Sequence, residues 1–579
     1  MKEVIKNKTA QWLSESFDQQ SNPELQKWIE NKKWKIIMKA FSADLSFGTG
    51  GLRAILGPGT ANINHFTIGK ATQALVNYLR LSFPEEKIKI AIAYDSRKNS
   101  LLFAQHAAKI ISCNGHVAYL FPDRVPVGML SYFIRNRQCK AGIMITASHN
   151  PKEYSGLKVF WNDGAEVTSP HDLGIAGEMK NIVHPEQIVL NEEECFCRIK
   201  YVPDEYENTY IRDMTSLNFI SREKNKKLNI VYSPLHGNGW EFVPDALQNA
   251  GFKKVTIVKE QEKPDVDFAT VDGYPNPERP EAFRLALKTA RRINADVVFL
   301  TDPDCDRVGL AYKDQNKQFQ ILNGNQTAAL LFDFILSKQS SFSGKDFIIK
   351  SVVTTDLIKA IADHHNIECR ETLTGFKNIA SILREEEVQP SGGQFMGAAE
   401  ESMSFMLTDK VRDKEAVSAI VAIAEMAWSL KQRKETLGEY LHILYRKYGY
   451  YFESTLSINI SHTGQVSLNQ VIESLRTKPP LHLMQIPIHF IDDYKHKIRV
   501  HLNTGKIEVL DVFYADMLCF HIDNGKIFIR PSGTEPKIKC YIMLKENLYD
   551  DIETAELVCR KYVRMISLAL RIMCFPKVL

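Results

Sequence analysis

The sequence has almost no net charge: 73 Lys and Arg against 69 Asp and Glu leave +4 over 579 residues. That balance supplies no basic face from which to argue for nucleic acid or an anionic membrane, so any strong field must be local. Long apolar runs are lacking too. The amino-terminal MKEVIKNKTAQWLS is positively charged but has no apolar stretch behind it, unlike a secretory signal. The most apolar stretch near the other end, 562–575, is broken by Arg564 and Arg571 and is too short to span a bilayer. A cytoplasmic protein is expected. The ten cysteines show no CxxC spacing, and the close pair Cys195 and Cys197 is by itself a weak metal signal. They are expected to be reduced and mostly buried.

At about 100–200 residues per domain, the length implies three to five domains and excludes a single small binding module. From residue 87 onward, short β-branched runs alternate with amphipathic stretches of helical length. Strands at 87–94, 116–121 and 141–145, with helices at 100–113 and 127–137 between them, make a βαβαβ unit. The same grammar restarts at 228–300 and again at 326–430, so three successive α/β domains with mixed sheets are expected rather than one large sheet. After Gly449 the pattern changes to strand runs separated by tight turns such as Asn503-Thr504-Gly505 and Asp523-Asn524-Gly525, which read as antiparallel hairpins. The expected fold is therefore three α/β domains (1–205, 206–322 and 323–447) and an α+β antiparallel domain (448–579) closed by a helix over 551–572, all around a central cleft.

Four unusual segments, one per domain, fall immediately after expected strands, where open α/β sheets bind ligands. Thr146-Ala147-Ser148-His149-Asn150-Pro151 gathers a hydroxyl, an imidazole and an amide. Alone it reads equally well as an Asx-capped turn. It is a poor Ser-His hydrolase site, because neighbours on an extended chain point to opposite sides and no GxSxG elbow is present. Asp302, Asp304 and Asp306 in TDPDCDR crowd three carboxylates at alternate positions; oxygen-only ligands suit Mg²⁺, although a lone DxDxD is as often an acidic turn. The Gly and Glu of an EF-hand loop are missing. Ala399-Glu400-Glu401-Ser402 could accept from and donate to sugar hydroxyls. Arg530-Pro531-Ser532-Gly533-Thr534 offers a guanidinium fork, two hydroxyls and a glycine, which is what a phosphate needs.

Together, TASHNP, DPDCDR, AEES and RPSGTEP occur in the order and spacing of the α-D-phosphohexomutase superfamily. The chain resembles its bacterial phosphoglucomutase/phosphomannomutase branch over about residues 40–570, including FGTGGLR at 47–53 and TGFK at 374–377. The resemblance implies that Ser148 carries a phosphoryl group and that one Mg²⁺ per chain is held by Ser148, Asp302, Asp304 and Asp306. It further implies that Lys158 serves as general acid/base while Arg53, His149 and Arg307 balance charge. Substrate contacts would come from Glu400, Ser402, Arg530, Ser532, Gly533 and Thr534, with His236 and Lys377 as further phosphate or sugar contacts. The implied activity is interconversion of a hexose 1-phosphate and its 6-phosphate, of glucose or mannose, through a sugar 1,6-bisphosphate. The implied partner is a small phosphosugar, not nucleic acid or membrane, and the protein would be a monomer or homodimer.

Ala399 and Ser404 stand where relatives carry glycine, so a Cβ is added where positive φ or close sugar approach is expected, and Glu415 replaces an Asp. Those changes keep rival readings open. They are a phosphopentomutase, a hexose 1,6-bisphosphate synthase, a metal-dependent phosphatase, or a catalytically weak phosphosugar-binding regulator.

Overall fold

The structure, a computed structural model, describes residues 2–15, 17–48, 51–190, 196–459, 468–531, 537–547 and 551–574. The chain divides into two compact units. One comprises 1–324, 376–398 and 402–434; the other comprises 325–375, 399–401 and 435–579.

The first unit holds two mixed α/β sheets. The six-stranded sheet runs in the spatial order Gly51–Ile55, Tyr154–Trp161, Ala141–Ile145, Lys89–Tyr94, Val117–Leu120, Ile199–Tyr201. Its centre is parallel, as the alternating strand and helix pattern requires, and Tyr154–Trp161 pairs antiparallel with Ala141–Ile145. Buried Ile90, Ile92, Ile143 and Ile145 share one apolar core with Phe103, Ala107 and Ile111 of helix Ser100–Cys113, while Leu130 and Ile134 of helix Val127–Arg137 lie against Gly142. The five-stranded sheet has the order Phe319–Leu322, Val308–Lys313, Val297–Thr301, Ile230–Ser233, Val255–Ile257, with the last three parallel. Between its strands a 3₁₀ turn, Pro280–Phe283, runs into the α-helix Arg284–Ile293, since Pro280 suits a first turn but not a helix interior.

Four helices precede the first expected strand: Lys2–Ser14, Asn22–Glu30, Trp34–Phe41 and His65–Ser82. The last is buried almost continuously from Phe66 to Val76, so no polar face marks its period. Asn64 caps it, accepting from Thr67 N while Thr67 Oγ1 accepts from Asn64 N.

In the second unit, Phe347–Ser351 and Glu368–Thr372 pair in parallel across helix Leu357–His364. The carboxy-terminal sheet is antiparallel throughout, in the order Tyr450–Asn459, Lys537–Glu546, Gly525–Pro531, Leu518–Ile522, Phe490–Asp493, Ile498–His501, Ile507–Val509. The Asp523-Asn524 turn closes a hairpin in which Ile522 opposes Gly525. Helix Ile552–Cys574 packs on its first two strands.

Among the described cysteines, 139, 305, 519, 540, 559 and 574 are buried free thiols, whereas Cys113 is disulfide-bonded. That corrects the expectation of uniformly reduced cysteines. Sequence spacing cannot show which distant residues a fold brings together.

Candidate active site

Ser148 follows strand Ala141–Ile145, and the three aspartates follow strand Val297–Thr301. Both strands end at the same place in the first unit, because Ser148 Oγ donates to Asp302 Oδ2 at 2.7 Å. Register supplies the next residues. Lys158 pairs with Met144 on one side and with Gly51 on the other, and Arg53 pairs with Gly156. Gly156 is required there, since a Cβ would lie 2.4 Å from Leu52 O and 2.8 Å from Thr146 O.

Ser148 sits at φ +50, the left-handed region that costs a non-glycine residue about 1–2 kcal/mol. Thr146 Oγ1 accepts from its N–H at 2.7 Å, and buried Arg97 donates to four carbonyls of the loop: Ser148 O, Asn150 O, Pro151 O and Tyr154 O. The chain here is therefore not extended, which corrects the argument that His149 points away from Ser148. His149 Nδ1 lies 3.2 Å from Ser148 Oγ. Burial, followed by the nearby Arg307 and Arg53, pushes the imidazole well below its ordinary pKa, so it is neutral.

Asp302, Asp304 and Asp306 are all buried, and each offers a ligand oxygen within 4.8 Å of the others. Burial drives the Asp302 carboxyl well up, and the neighbouring Asp306 and Asp304 drive it further. Burial opposes the charge on Asp306 too, but Lys414, Lys158 and Arg307 hold it well below the usual carboxylate range. Lys158 Nζ lies 3.0 Å from Asp304 Oδ2 and 3.2 Å from Asp306 Oδ2; Lys414 Nζ lies 3.0 Å from Asp306 Oδ2. Burial disfavours both ammonium groups, and the carboxylates more than compensate and hold both protonated. Even so, Asp304 Oδ1 and Asp306 Oδ1 are buried without a hydrogen-bond partner. Orphaned acceptors in an all-oxygen cluster fit a divalent cation such as Mg²⁺.

Arg53 Nη1 donates to Asn150 Oδ1 at 3.1 Å, while Arg307 pairs with Glu278 and lies 3.4 Å from Ser402 O. Lys377 is half-buried in the first turn of helix Phe376–Val388. His236 is placed otherwise than expected: Nδ1 is 2.7 Å from Lys263 O and Nε2 is 2.8 Å from Thr270 Oγ1, so both ring nitrogens are already engaged by the protein. Ser402 Oγ lies 3.2 Å from Ser404 Oγ in the first unit. In the second unit, Glu400 Oε1 accepts from Gly375 N at 2.5 Å, and Arg530 Nη1 donates to Thr374 Oγ1 at 2.7 Å. Ser532, Gly533 and Thr534 lie outside the described residues. Positive φ falls at Gly397 and Met403, not at Ala399 or Ser404, so those two substitutions add no left-handed strain. Glu415 caps helix Ala416–Gln432 by accepting from Val417 N and Ser418 N.

Sequence reading missed Arg97 and Lys414. Arg97 comes three residues after strand Lys89–Tyr94, in the strand-end position that marked the other loops, and Lys414 closes the run Arg412-Asp413-Lys414.

Successive α/β/α domains with a serine facing a carboxylate triad between two lysines define an enzyme of the phosphotransferase class. Residues 44–186, 208–316 and 323–448 match domains I, II and III of the phosphoglucomutase/phosphomannomutase family, described as alpha/beta/alpha domains. The chain is 32% identical over 517 residues to a phosphoglucomutase of Staphylococcus haemolyticus, covering 89% of this chain and 93% of that protein. It is 34% identical over 520 residues to one of Staphylococcus aureus, covering 89% and 92%. Two solved structures share its fold: a phosphoglucomutase/phosphomannomutase family protein from Burkholderia thailandensis, and pp63/parafusin from Paramecium in an open form. Their TM-scores are 0.63 and 0.65, each at 16% identity, covering 90% and 91% of this chain and 97% and 96% of those. The chain belongs to the phosphoglucomutase/phosphomannomutase family of the α-D-phosphohexomutase superfamily, whose members are hexose phosphate mutases acting as intramolecular phosphotransferases.

Proposed function

We propose that this protein interconverts glucose 1-phosphate and glucose 6-phosphate, with mannose phosphates as second substrates, by passing a phosphoryl group through Ser148. The observation that carries the proposal is Ser148 Oγ at 2.7 Å from Asp302, in a left-handed turn that Arg97 fastens by four carbonyls. Asp302, Asp304 and Asp306, with an oxygen on Ser148, would hold one Mg²⁺. When bound, that ion would polarise the phosphoryl group and offset its charge of about −1.5 to −2.

The protein's own groups account for the rest. As the sugar hydroxyl attacks phosphorus, it must lose a proton and Ser148 Oγ must gain one on leaving. Lys158, held protonated against Asp304 and Asp306, is the side chain proposed for that exchange. Arg53 and Arg307 supply fixed positive charge around the transferring group, and neutral His149 offers a hydrogen bond to Ser148. The product of the first transfer is a sugar 1,6-bisphosphate, which reverses its orientation and returns the other phosphate to Ser148. The resting phosphate would be held by Arg530, Ser532, Gly533 and Thr534, and ring hydroxyls by Glu400 and Ser402, with Lys377 as a further contact. Segments 1–205, 206–322, 323–447 and 448–579 would each contribute one loop to substrate handling, in a cytoplasmic monomer or homodimer.

The test is a coupled assay of glucose 1-phosphate and mannose 1-phosphate with Mg²⁺ and a trace of the 1,6-bisphosphate. Turnover of glucose 1-phosphate is expected; turnover of neither sugar would refute the reading.

A further inference from the structure

A cavity of about 120 Å³ opens in the first unit, between helix Lys2–Ser14 and helix His65–Ser82, away from the Ser148 loop. Its apolar wall is Trp12, Phe17, Phe66 and Met179. Two buried polar groups of its lining stand without partners among the described residues. Lys70 is 8% exposed, yet among the described residues its Nζ makes no hydrogen bond or ion pair; it lies 6.0 Å from the centre of the Phe66 ring. Trp12 is 1% exposed, and its Nε1–H is buried with no acceptor. Lys8 and Asp44 line the same cavity, and their side chains, both partly solvent-facing, are loosely paired at 3.5 Å.

A buried ammonium and a buried indole N–H without acceptors are each destabilising, and native proteins rarely leave both beside one void unless something fills it. The hydroxyl of Thr60 is already spent on Ala43 O, and that of Thr67 on Asn62 O and Asn64 O. Asp44 lies on the same lining, but it is 62% exposed and paired with Lys8, and it offers Lys70 a charge without a hydrogen bond, so the valences left open on buried groups are the Lys70 ammonium and the Trp12 N–H, both donors. Acceptors must come from the occupant, and an oxyanion is the group that accepts from several donors while neutralising the ammonium.

We propose that this cavity is a binding site for a small oxyanion, either inorganic phosphate or a short-chain carboxylate, held by Lys70, Trp12 and Lys8. None of its lining residues belongs to the Ser148 loop or the aspartate cluster, so the site is distinct from the one that handles substrate. A carboxylate would lay its carbon chain on Phe17, Phe66 and Met179, whereas phosphate would use the donors alone.

The experiment follows tryptophan emission of the full chain on titration with phosphate, and separately with acetate, propionate and butyrate, at constant ionic strength. Wild type is expected to show a saturable change that Trp12→Phe lacks. Lys70→Met is expected to weaken the apparent affinity at least about tenfold, the effect of losing one charge-assisted hydrogen bond. Both variants are expected to keep sugar-phosphate turnover, which reports an intact fold and separates this site from the Ser148 site. Affinity that rises from acetate to butyrate identifies the carboxylate source, and phosphate binding alone identifies the inorganic one. No saturable change with any anion, or the same affinity in Lys70→Met, would overturn the proposal.

Discussion

Arg97→Lys keeps the charge and removes the fork. In the native protein Nη1 donates to Pro151 O and Tyr154 O at 2.9 and 3.1 Å, and Nη2 donates to Ser148 O and Asn150 O at 2.5 Å each. An ammonium has three protons on one nitrogen, so it leaves at least one of four carbonyls unpaired and cannot span the rest. An unpaired buried acceptor costs about 1–3 kcal/mol, and weakened charge-assisted bonds add to that, giving an expected loss of about 2–4 kcal/mol in stability. The catalytic effect follows from the backbone. Ser148 gives up about 1–2 kcal/mol by holding φ +50, and once the clamp loosens that strain favours its release. A release of this size displaces Ser148 in most molecules, so turnover should fall about tenfold or more. Urea unfolding and the coupled mutase assay measure the two effects. Wild-type values for both would refute the clamp, and lost stability with unchanged turnover would make Arg97 a scaffold residue without influence on Ser148.

Other consequences can be measured in the same preparation. Burial, followed by the charge of neighbouring His65, pushes His106 down to about 4. The unfolded chain therefore binds more protons between that value and about 6.5, and the contribution is fully present above 6.5 and lost as pH falls through 4. At pH 5 this amounts to about 2 kcal/mol, so His106→Gln should flatten the fall in stability between pH 7 and 5 in urea titrations. Lys226 and Glu425 form a buried ion pair at 2.5 Å, with Lys226 also donating to Ser221 O. Lys226→Met should cost about 3–5 kcal/mol by stranding the carboxylate, and the double variant with Glu425→Leu should be more stable than that single one by denaturant midpoint.

The strand and helix grammar was legible wherever one face of an element is buried or a strand runs into a turn. Helices Ser100–Cys113 and Val127–Arg137 and strand Ala141–Ile145 lie where their periodicity puts them. Strand Tyr154–Trp161 was not legible, because Gly156 and Lys158 break its β pattern for reasons set by neighbours: Gly156 by the carbonyls of Leu52 and Thr146, and Lys158 by two aspartates nearly 150 residues away. Helix His65–Ser82 hid for the opposite reason, its buried Lys70, Thr72 and Gln73 erasing the polar face. At the site, motif residues were legible as types and their geometry was not. The left-handed turn at Ser148 reverses an inference that assumed an extended chain, and His236 spends both ring nitrogens on Lys263 and Thr270.

The central claim is that Ser148 carries the phosphoryl group, and intact-protein mass measurement tests it most directly. Incubation with glucose 1,6-bisphosphate and Mg²⁺ should add one phosphoryl group, mapped to Ser148; on addition of glucose 1-phosphate that group should pass to the sugar as its 6-phosphate while the sugar's 1-phosphate replaces it on Ser148, so glucose 6-phosphate accumulates with the serine still phosphorylated. Ser148→Ala should neither gain the group nor turn over sugar. A Ser148→Ala protein with wild-type turnover, or a phosphoryl group mapped to another residue, would contradict the account.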